Sequence, residues 1–348
     1  MKIGQLLIGL GITAAALTYT FWNVSFADLF DSFKTVKYVY LIPAAFLMAF
    51  SYLARAWRWK ELLSPIKAIP ARELYSPLMV GFMGNILPAR AGEFVRAYLL
   101  GKKHHLTFSS AFASIVVERL FDIIVLLLLF VWVFIFHAEV FQSDVMISGV
   151  PLHTLVAGFG KFSAAIVVFL LIFIYLMIAH KAPLTRIIQW VIRPLPKKWH
   201  DKVEYLVEEF SQGLLVARHP TALLKASLYS LLVWAAIVLS YYPFYWAFDL
   251  VDKSPASLLI LVVFVCVLIT VAPTPGFLGS FNAGVLIALH TVMGEEELTA
   301  VSFGMVCWGV NFLVLLVGGV YFIFHDHYSV RTLIEVEEKD LAALDEDS

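Results

Sequence analysis

The sequence predicts an all-α polytopic integral membrane protein with six full spans plus two re-entrant helical hairpins arranged as an inverted-topology repeat. Of its 348 residues, 61% are hydrophobic and 15% are charged, and the mean hydropathy is +0.85. Soluble domains carry about 25% charged residues, so the composition indicates a membrane protein. The net charge of -1 argues against nucleic acid as a partner, because neutralising phosphates requires a basic surface.

Six apolar segments are long enough to cross a membrane, because about 20 helical residues span ~30 Å of hydrocarbon. They lie at 4–22, 38–58, 108–136, 155–180, 223–248 and 299–324. Lysine and arginine concentrate in the loops of one side, and Arg55 and Arg58 are counted among these loop charges. Since basic loops stay on the cytoplasmic side, the pattern predicts a multi-pass protein of a bacterial-type inner (plasma) membrane with both termini cytoplasmic.

Two further apolar regions are each broken by a turn. Their arms are 74–87 with 92–103, around Pro88 to Gly92, and 257–272 with 280–292, around Pro273 to Gly279. At 1.5 Å per residue, the arms of the first region reach only about 18 to 21 Å, too short to cross, and the second region follows the same pattern. The flanking charges predict that the first hairpin enters from the cytoplasm and the second from the opposite face. Ordinary kinked spans are the alternative.

The order span, hairpin, span therefore occurs twice, from opposite sides. The first repeat covers about 38–136 and the second about 223–324, within one transmembrane domain at 1–325. Interrupted segments at matching places in two inverted halves point to the binding site of a transporter. A cytoplasmic interfacial helix is predicted at about 198–217 and an acidic cytoplasmic tail at 326–348.

Charged residues gather in the first repeat. Arg90, Glu93 and Arg96 are spaced by three along the returning arm, so they share one helical face. Glu118, Arg119 and Asp122 follow in the third span. Charges in membrane segments are costly and mark functional sites. The structural alternative is that they form ion pairs that fix the hairpin against the span, because an unpaired buried charge costs several kcal/mol.

The two hairpins also suit an anion. Both returning arms begin at a turn, so two helix N-termini with free N–H groups point into the middle of the protein. Gly276 and Gly279 let the backbone approach a ligand closely, and the planar forks of arginine suit phosphate. We therefore predict a phosphate-bearing headgroup near the midplane. The predicted substrate-binding residues are Asn85, Arg90, Glu93, Arg96, Glu118, Arg119, Asp122, Thr274, Gly276, Gly279, Ser280 and Asn282.

No cofactor, metal site or catalytic residue is predicted. The sequence has no Walker loop, so nothing indicates ATP coupling. No set of His, Cys and carboxylate residues has metal-ligand spacing.

The residues themselves resemble a known family. The run Asn85, Leu87, Pro88, Arg90, Gly92, Glu93, Arg96, followed by Glu118, Arg119, Asp122 and the Pro273 to Gly279 loop, is similar to the lysylphosphatidylglycerol synthase transmembrane-region family, also called the flippase-like domain family. The resemblance covers about residues 5 to 325. It implies a stand-alone member without the soluble aminoacyl-transferase domain, and an anionic lipid or lipid-linked phosphate as ligand.

Three functions follow as hypotheses. The leading one is a lipid translocase in which Arg90, Arg96 and Arg119 bind the headgroup while the carboxylates hold the arginines or carry a proton. The second is a membrane-embedded transferase that uses a polyprenyl-phosphate or phospholipid donor, with Glu93 or Asp122 as general base. The third is a non-catalytic partner of a separate lipid-modifying enzyme. A transporter is favoured over an enzyme.

Overall fold

The computed structural model describes residues 3–86, 92–137, 219–272 and 274–328, with isolated positions and short runs between 146 and 216. Three predicted segments therefore lie mostly or wholly outside the described residues: the span at 155–180, the interfacial helix at 198–217 and the acidic tail. The first turn, Leu87 to Ala91, also lies outside them, and with it Arg90. Pro273 lies outside them as well.

The described chain is helical apart from turns and one two-residue ladder. The helices are α1 (Ile3–Phe21), α2 (Phe26–Thr35), α3 (Leu41–Leu63), α4 (Ala71–Gly84), α5 (Gly92–His104), α6 (Phe108–Phe136), α7 (Pro220–Ala247), α8 (Pro255–Val271), α9 (Ser280–Leu286) and α10 (Glu297–His325). Short 3-10 turns occur at Tyr38–Tyr40 and Pro275–Phe277, and a π-helical turn at Ile287–Val292 extends α9. The ladder pairs Met146–Ile147 with Val150–Pro151.

Long apolar helices make this a multi-pass membrane protein. Among the described residues, four segments are long and apolar enough to cross a membrane: Tyr38–Leu63, Pro220–Ala247, Pro275–Val292 and Glu297–His325. The third is not one straight helix, because Gly276 and Gly279 have φ values of 57° and 91°. Regular helix resumes only at Ser280, which leaves about 20 Å of helix before the turn at Met293.

Local sequence accounts for where several helices begin. Ser25, Thr107 and Ser254 each cap a helix by accepting a hydrogen bond from a backbone N–H of the first turn. Pro220 and Pro255 each occupy the first position of a helix, where the missing N–H costs nothing. The sequence analysis did not predict α2, a ten-residue amphipathic helix that buries Leu29.

Each interrupted helix pair begins and ends at the same end of the molecule. Lys67 Nζ, just before α4, donates to the carbonyl of His104 at the end of α5, at 2.7 Å. Val251 N–H, just before α8, donates to Glu295 Oε1, just after the π-helical turn, at 2.8 Å. Both pairs are therefore hairpins in outline.

The two hairpins start from opposite ends. Lys103 at the end of α5 pairs with Asp326 after α10, at 3.0 Å. At the other end, Lys37 N–H donates to the carbonyl of Ala247, the last residue of α7, at 3.0 Å. The helix α10 begins at Glu297, next to Glu295 at the base of the second hairpin, and ends just before Asp326, which contacts the base of the first hairpin. The two bases therefore lie at opposite ends of α10.

The close approach of α4 and α5 depends on glycine. A Cβ built on Gly81 would lie 2.7 Å from Arg96 Cβ and 2.8 Å from the carbonyl oxygen of Gly92. A larger residue at position 81 would push the helices apart. This contact places Arg96 deep between α4 and α6, where the candidate site is built.

Candidate functional site

Glu118 on α6 is the centre of a buried ion-pair network. Its side chain is fully buried. Arg96 on α5 forms a two-pronged contact with it, from Nη1 to Oε1 at 3.1 Å and from Nη2 to Oε2 at 2.6 Å. Arg58 Nη2 and Arg119 Nη2 lie 3.0 and 2.7 Å from Oε1. One carboxylate therefore contacts three arginines, which join α3, α5 and α6.

Asp122, one helical turn further along α6, repeats the arrangement. Arg58 Nη1 donates to Oδ1 at 2.6 Å. Arg119 Nη2 and Arg55 Nη1 lie 3.3 and 3.8 Å from Oδ2. Arg55 and Arg58 are one turn apart on α3, and Glu118 and Asp122 are one turn apart on α6. Two helical faces of opposite charge thus pack against each other.

Arg55 and Arg58 were predicted to be loop charges at the end of the span 38–58, and this prediction is wrong. In the structure α3 continues to Leu63, and the Arg58 side chain is 0% exposed. Arg58 Nη1 also lies 3.3 Å from Ser230 Oγ on α7. The sequence did contain a signal for this pairing. Arg55 and Arg58 are three residues apart, and Glu118 and Asp122 are four apart, so each pair lies on one face of its helix.

Aromatic rings line the arginines. The guanidinium of Arg96 lies 3.6 Å from the ring centre of Trp59, and the Trp59 indole N–H donates to Ser114 Oγ at 2.9 Å. The guanidiniums of Arg55 and Arg119 lie 5.1 and 6.0 Å from the ring centre of Phe82. Cation–π contacts of this kind favour guanidinium in a desolvated site.

The cluster opens at one edge. The side chain of Arg119 is 34% exposed and that of Glu93 is 39% exposed, and Arg119 Nε lies 3.5 Å from Glu93 Oε1. Counted over the described residues, four arginines face three carboxylates, so positive charge is in excess by one. The four arginines also have buried nitrogens without a hydrogen-bond acceptor: Arg55 Nε and Nη1, Arg58 Nε, Arg96 Nε and Arg119 Nε.

The predicted residues of the second turn lie together but bond mainly to one another. Thr274 Oγ1 and Ser280 Oγ are 2.8 Å apart. Gly279 N–H donates to Asn282 Oδ1 at 3.3 Å, and Asn282 Nδ2 lies 3.3 Å from Met305 Sδ. All three polar side chains are buried. Their contacts stabilise the turn and the start of α9.

The second turn touches the end of α4 through its backbone. Gly276 N–H donates to the carbonyl of Asn85 at 3.2 Å, and the Gly276 carbonyl accepts from Trp308 Nε1 at 2.9 Å. A Cβ on Gly276 would lie 3.8 Å from Ile86 Cα. Asn85 Oδ1 is buried and has no hydrogen-bond partner among the residues that the structure describes. The ends of the two hairpins therefore meet inside the molecule.

The structure thus brings the predicted residues together in two groups. Glu93, Arg96, Glu118, Arg119 and Asp122 form the charged cluster, while Thr274, Gly279, Ser280 and Asn282 form the second turn. Asn85 and Gly276 are the contact between the hairpins. Within the described residues, no group of three or more His, Cys, Asp or Glu side chains lies close enough to hold a metal ion.

Fold and site together define an all-helical membrane protein with a charged cluster among its helices. The chain belongs to the family described as the lysylphosphatidylglycerol synthase TM region, which it matches over residues 6–324. It is 24% identical over 332 residues to a UPF0104 membrane protein of Methanothermobacter thermautotrophicus, covering 91% of this chain and 94% of that protein.

A second relative matches only in part. Over 121 residues the chain is 29% identical to Glycosyltransferase AglD of Haloferax volcanii, which covers 33% of this chain and 19% of that protein. No solved structure matches the chain significantly.

Proposed function

We propose that the protein is a lipid translocase that binds the phosphate-bearing headgroup of an anionic lipid at the charged cluster and passes it between leaflets. The observation that carries the proposal is the excess of arginine among the described residues of the cluster: four guanidiniums against three carboxylates, in a mostly buried site. An anion supplies the missing negative charge and the missing acceptors. The tails remain in the bilayer while the headgroup occupies the cluster.

The proposed transport path requires an arrangement of six spans plus two re-entrant hairpins in an inverted repeat. In this arrangement α4 and α5 enter from one face, and α8 and α9 from the other. The proposal is supported by the contacts at the hairpin bases and by the bond between Gly276 and Asn85. Irregular backbone at membrane depth must be buried or line a cavity, and the contact of the second turn with the end of α4 supports this part of the proposal.

Orientation belongs to the same proposal. Lys60, Lys67, Lys102, Lys103 and Lys225 all lie near the end of the molecule where the first hairpin has its base. By the rule that basic residues stay inside, this end faces the cytoplasm of an inner membrane.

Each residue has a distinct role in headgroup binding. Arg119, the most exposed arginine of the cluster, makes the first contact with the phosphate, and Arg96 provides further positive charge beneath it. Glu118 holds Arg96 and Arg58 in place, so it positions the arginines and does not contact the lipid. Glu93 at the open edge competes with the phosphate for Arg119.

Headgroup movement in liposomes tests the proposal. Full-length protein is reconstituted into phosphatidylcholine vesicles that contain fluorescent phosphatidylglycerol, and dithionite quenching reports how fast the label crosses. We expect Arg119→Gln to slow movement about tenfold or more, because a charge-assisted hydrogen bond contributes ~1.5–3 kcal/mol. Arg72→Gln, the same change at an exposed arginine of α4, is the matched control. Wild-type speed for Arg119→Gln would contradict the site assignment.

The partial match to a protein named as a glycosyltransferase favours one alternative. In it, the protein is a membrane-embedded transferase that uses a lipid-phosphate donor, and Glu93 is the base. Asp122 suits that role less well, because three arginines contact it. Purified protein with a polyprenyl-phosphate sugar donor and an acceptor would then form product, and Glu93→Gln would abolish product formation.

A further inference from the structure

We infer that Arg55 contacts the bound anion and forms, with Arg119, a pair of phosphate-binding guanidiniums next to Phe82. The inference rests on the proposed function, because it concerns the same ligand. It extends the site onto α3, a helix that neither the sequence motif nor the family resemblance assigns to binding.

Within the part of the chain that the structure describes, Arg55 has fewer protein partners than the other arginines of the cluster. Arg58 and Arg96 each form contacts of 3.1 Å or less with a carboxylate. Arg55 has only its Nη1 atom 3.8 Å from Asp122 Oδ2. Its Nε and Nη1 atoms are buried without a hydrogen-bond acceptor, and its side chain is 13% exposed.

A purely structural role does not account for this arginine. A guanidinium removed from water needs close acceptors, and an unpaired one is strongly unfavourable. Asp122 is already neutralised by Arg58 at 2.6 Å, and Glu118 by Arg96 at 2.6 Å. Arg55 is therefore the excess positive charge of the cluster, and its N–H groups are the donors left over for a ligand.

Arg55 and Arg119 converge on one place. Both lie against the ring of Phe82, and their nearest nitrogens lie 3.8 and 3.3 Å from the same oxygen, Asp122 Oδ2. A phosphate next to Phe82, on the side of the two guanidiniums away from the Asp122 carboxylate, has several oxygens and can accept N–H bonds from both of them. Arg119 is the partly exposed member of the pair, so the anion arrives there and Arg55 holds its inner side. The ligand class is a phosphate monoester or diester.

Measurements of lipid binding and of melting temperature distinguish a ligand-binding role of Arg55 from a structural one. Full-length protein in phosphatidylcholine nanodiscs is titrated with phosphatidylglycerol, and the melting temperature is measured with and without that lipid. We expect Arg55→Gln to bind phosphatidylglycerol about tenfold more weakly or worse. Without the lipid its melting temperature should equal or exceed the wild-type value, because a poorly paired buried guanidinium does not stabilise the fold. Arg55→Lys, which keeps the charge but loses the fork, should bind with intermediate affinity, and Arg72→Gln should bind like wild type.

Each contrary outcome has its own meaning. Wild-type affinity in Arg55→Gln, together with weak binding in Arg119→Gln, overturns the role of Arg55 and leaves the proposed function intact. Wild-type affinity in both variants overturns both proposals. An Arg55→Gln protein that is unfolded or melts lower without lipid also overturns the inference, since Arg55 then supports the fold. Inorganic phosphate, titrated alone, distinguishes the source: a melting shift in wild type that is lost in Arg55→Gln assigns the contact to free phosphate.

Discussion

At the residue scale, Glu118 joins three helices through a single carboxylate. Arg96, Arg58 and Arg119 all contact it, and its side chain is fully buried. The three guanidiniums come from α5, α3 and α6, so a local loss of charge at Glu118 acts on the packing of all three helices. Buried ion pairs contribute little net stability, but removing one partner leaves the other charge uncompensated.

We therefore expect Glu118→Gln to lower the free energy of unfolding by about 3–5 kcal/mol, because Arg96 and Arg58 lose their shared acceptor. Chemical unfolding of the detergent-solubilised protein measures the loss. Glu73→Gln is the control: the Glu73 side chain is 37% exposed and lies 3.7 Å from His104 Nε2, so its change should cost about 1 kcal/mol or less. Equal losses in the two variants would contradict the central position of Glu118.

The cluster shows which residues can be predicted without a structure. Glu118, Arg119 and Asp122 stand out because charge is rare in an apolar segment, and they do lie in one network. Arg55 and Arg58 stand next to Lys60 at the end of an apolar run, where basic residues usually mark a loop. Only the packing of α3 on α6 shows that they are buried partners of the carboxylates.

At the element scale, the contact of α4 with α5 depends on two glycines. A Cβ on Gly92 would overlap the carbonyl oxygen of Gly81 and would lie 2.5 Å from Asn85 Oδ1. The carbonyl of Gly81 is part of the backbone of α4, so it cannot move without shifting that helix. The close packing of α4 against α5 therefore requires residues without a side chain at positions 81 and 92.

We expect Gly92→Ala to separate α4 from α5 and to lower both the melting temperature and the rate of headgroup movement. Gly309→Ala on α10 is the matched control, because nothing lies within 4 Å of a Cβ built there. Alanine in a helix interior is favoured over glycine by roughly 0.5–1 kcal/mol, so this variant should be as stable as wild type or slightly more so. A Gly92→Ala protein that melts like Gly309→Ala would show that the contact can relax.

Helix boundaries were predictable where Pro, Gly or polar residues interrupt the apolar pattern. The structure has helices at Phe108–Phe136 and Glu297–His325, close to the predicted spans. The π-helical turn was not predictable, since it depends on backbone contacts such as Met293 N–H to the carbonyl of Ala288. The helix α2 is too short to show as a span, although its apolar face packs on the core.

At the scale of the whole molecule, the end of the chain's last described helix is fastened to the base of the first hairpin. Asp326 follows α10 directly. Its Oδ2 atom accepts from Ser76 Oγ on α4 at 2.6 Å and from Lys103 Nζ on α5 at 3.0 Å. Its Oδ1 atom lies 2.7 Å from His325 Nδ1. Residues about 220 positions apart in sequence thus hold the two halves together at one end.

The charge on Asp326 makes this connection sensitive to acid. Burial raises the pKa of Asp326, but hydrogen bonds from Ser76, His325 and Lys103 outweigh it and hold the pKa well below its usual range. An unfolded aspartate titrates near pH 3.9, so the stabilisation is complete above about that pH. It is lost as the pH falls from there through the lower pKa of the folded state.

We therefore expect Asp326→Asn to melt below wild type at about pH 7, and this gap to narrow as the pH falls to about 3 and below, where the native carboxylate takes up its proton. Thermal unfolding of full-length protein across this range measures the gap. Asp31→Asn is the control, because Asp31 forms an exposed pair with Lys34 and should contribute little at any pH. A gap for Asp326→Asn that stays constant down to the lowest pH would show that the carboxylate acts through its shape and not its charge, and that the halves are not joined electrostatically at this end.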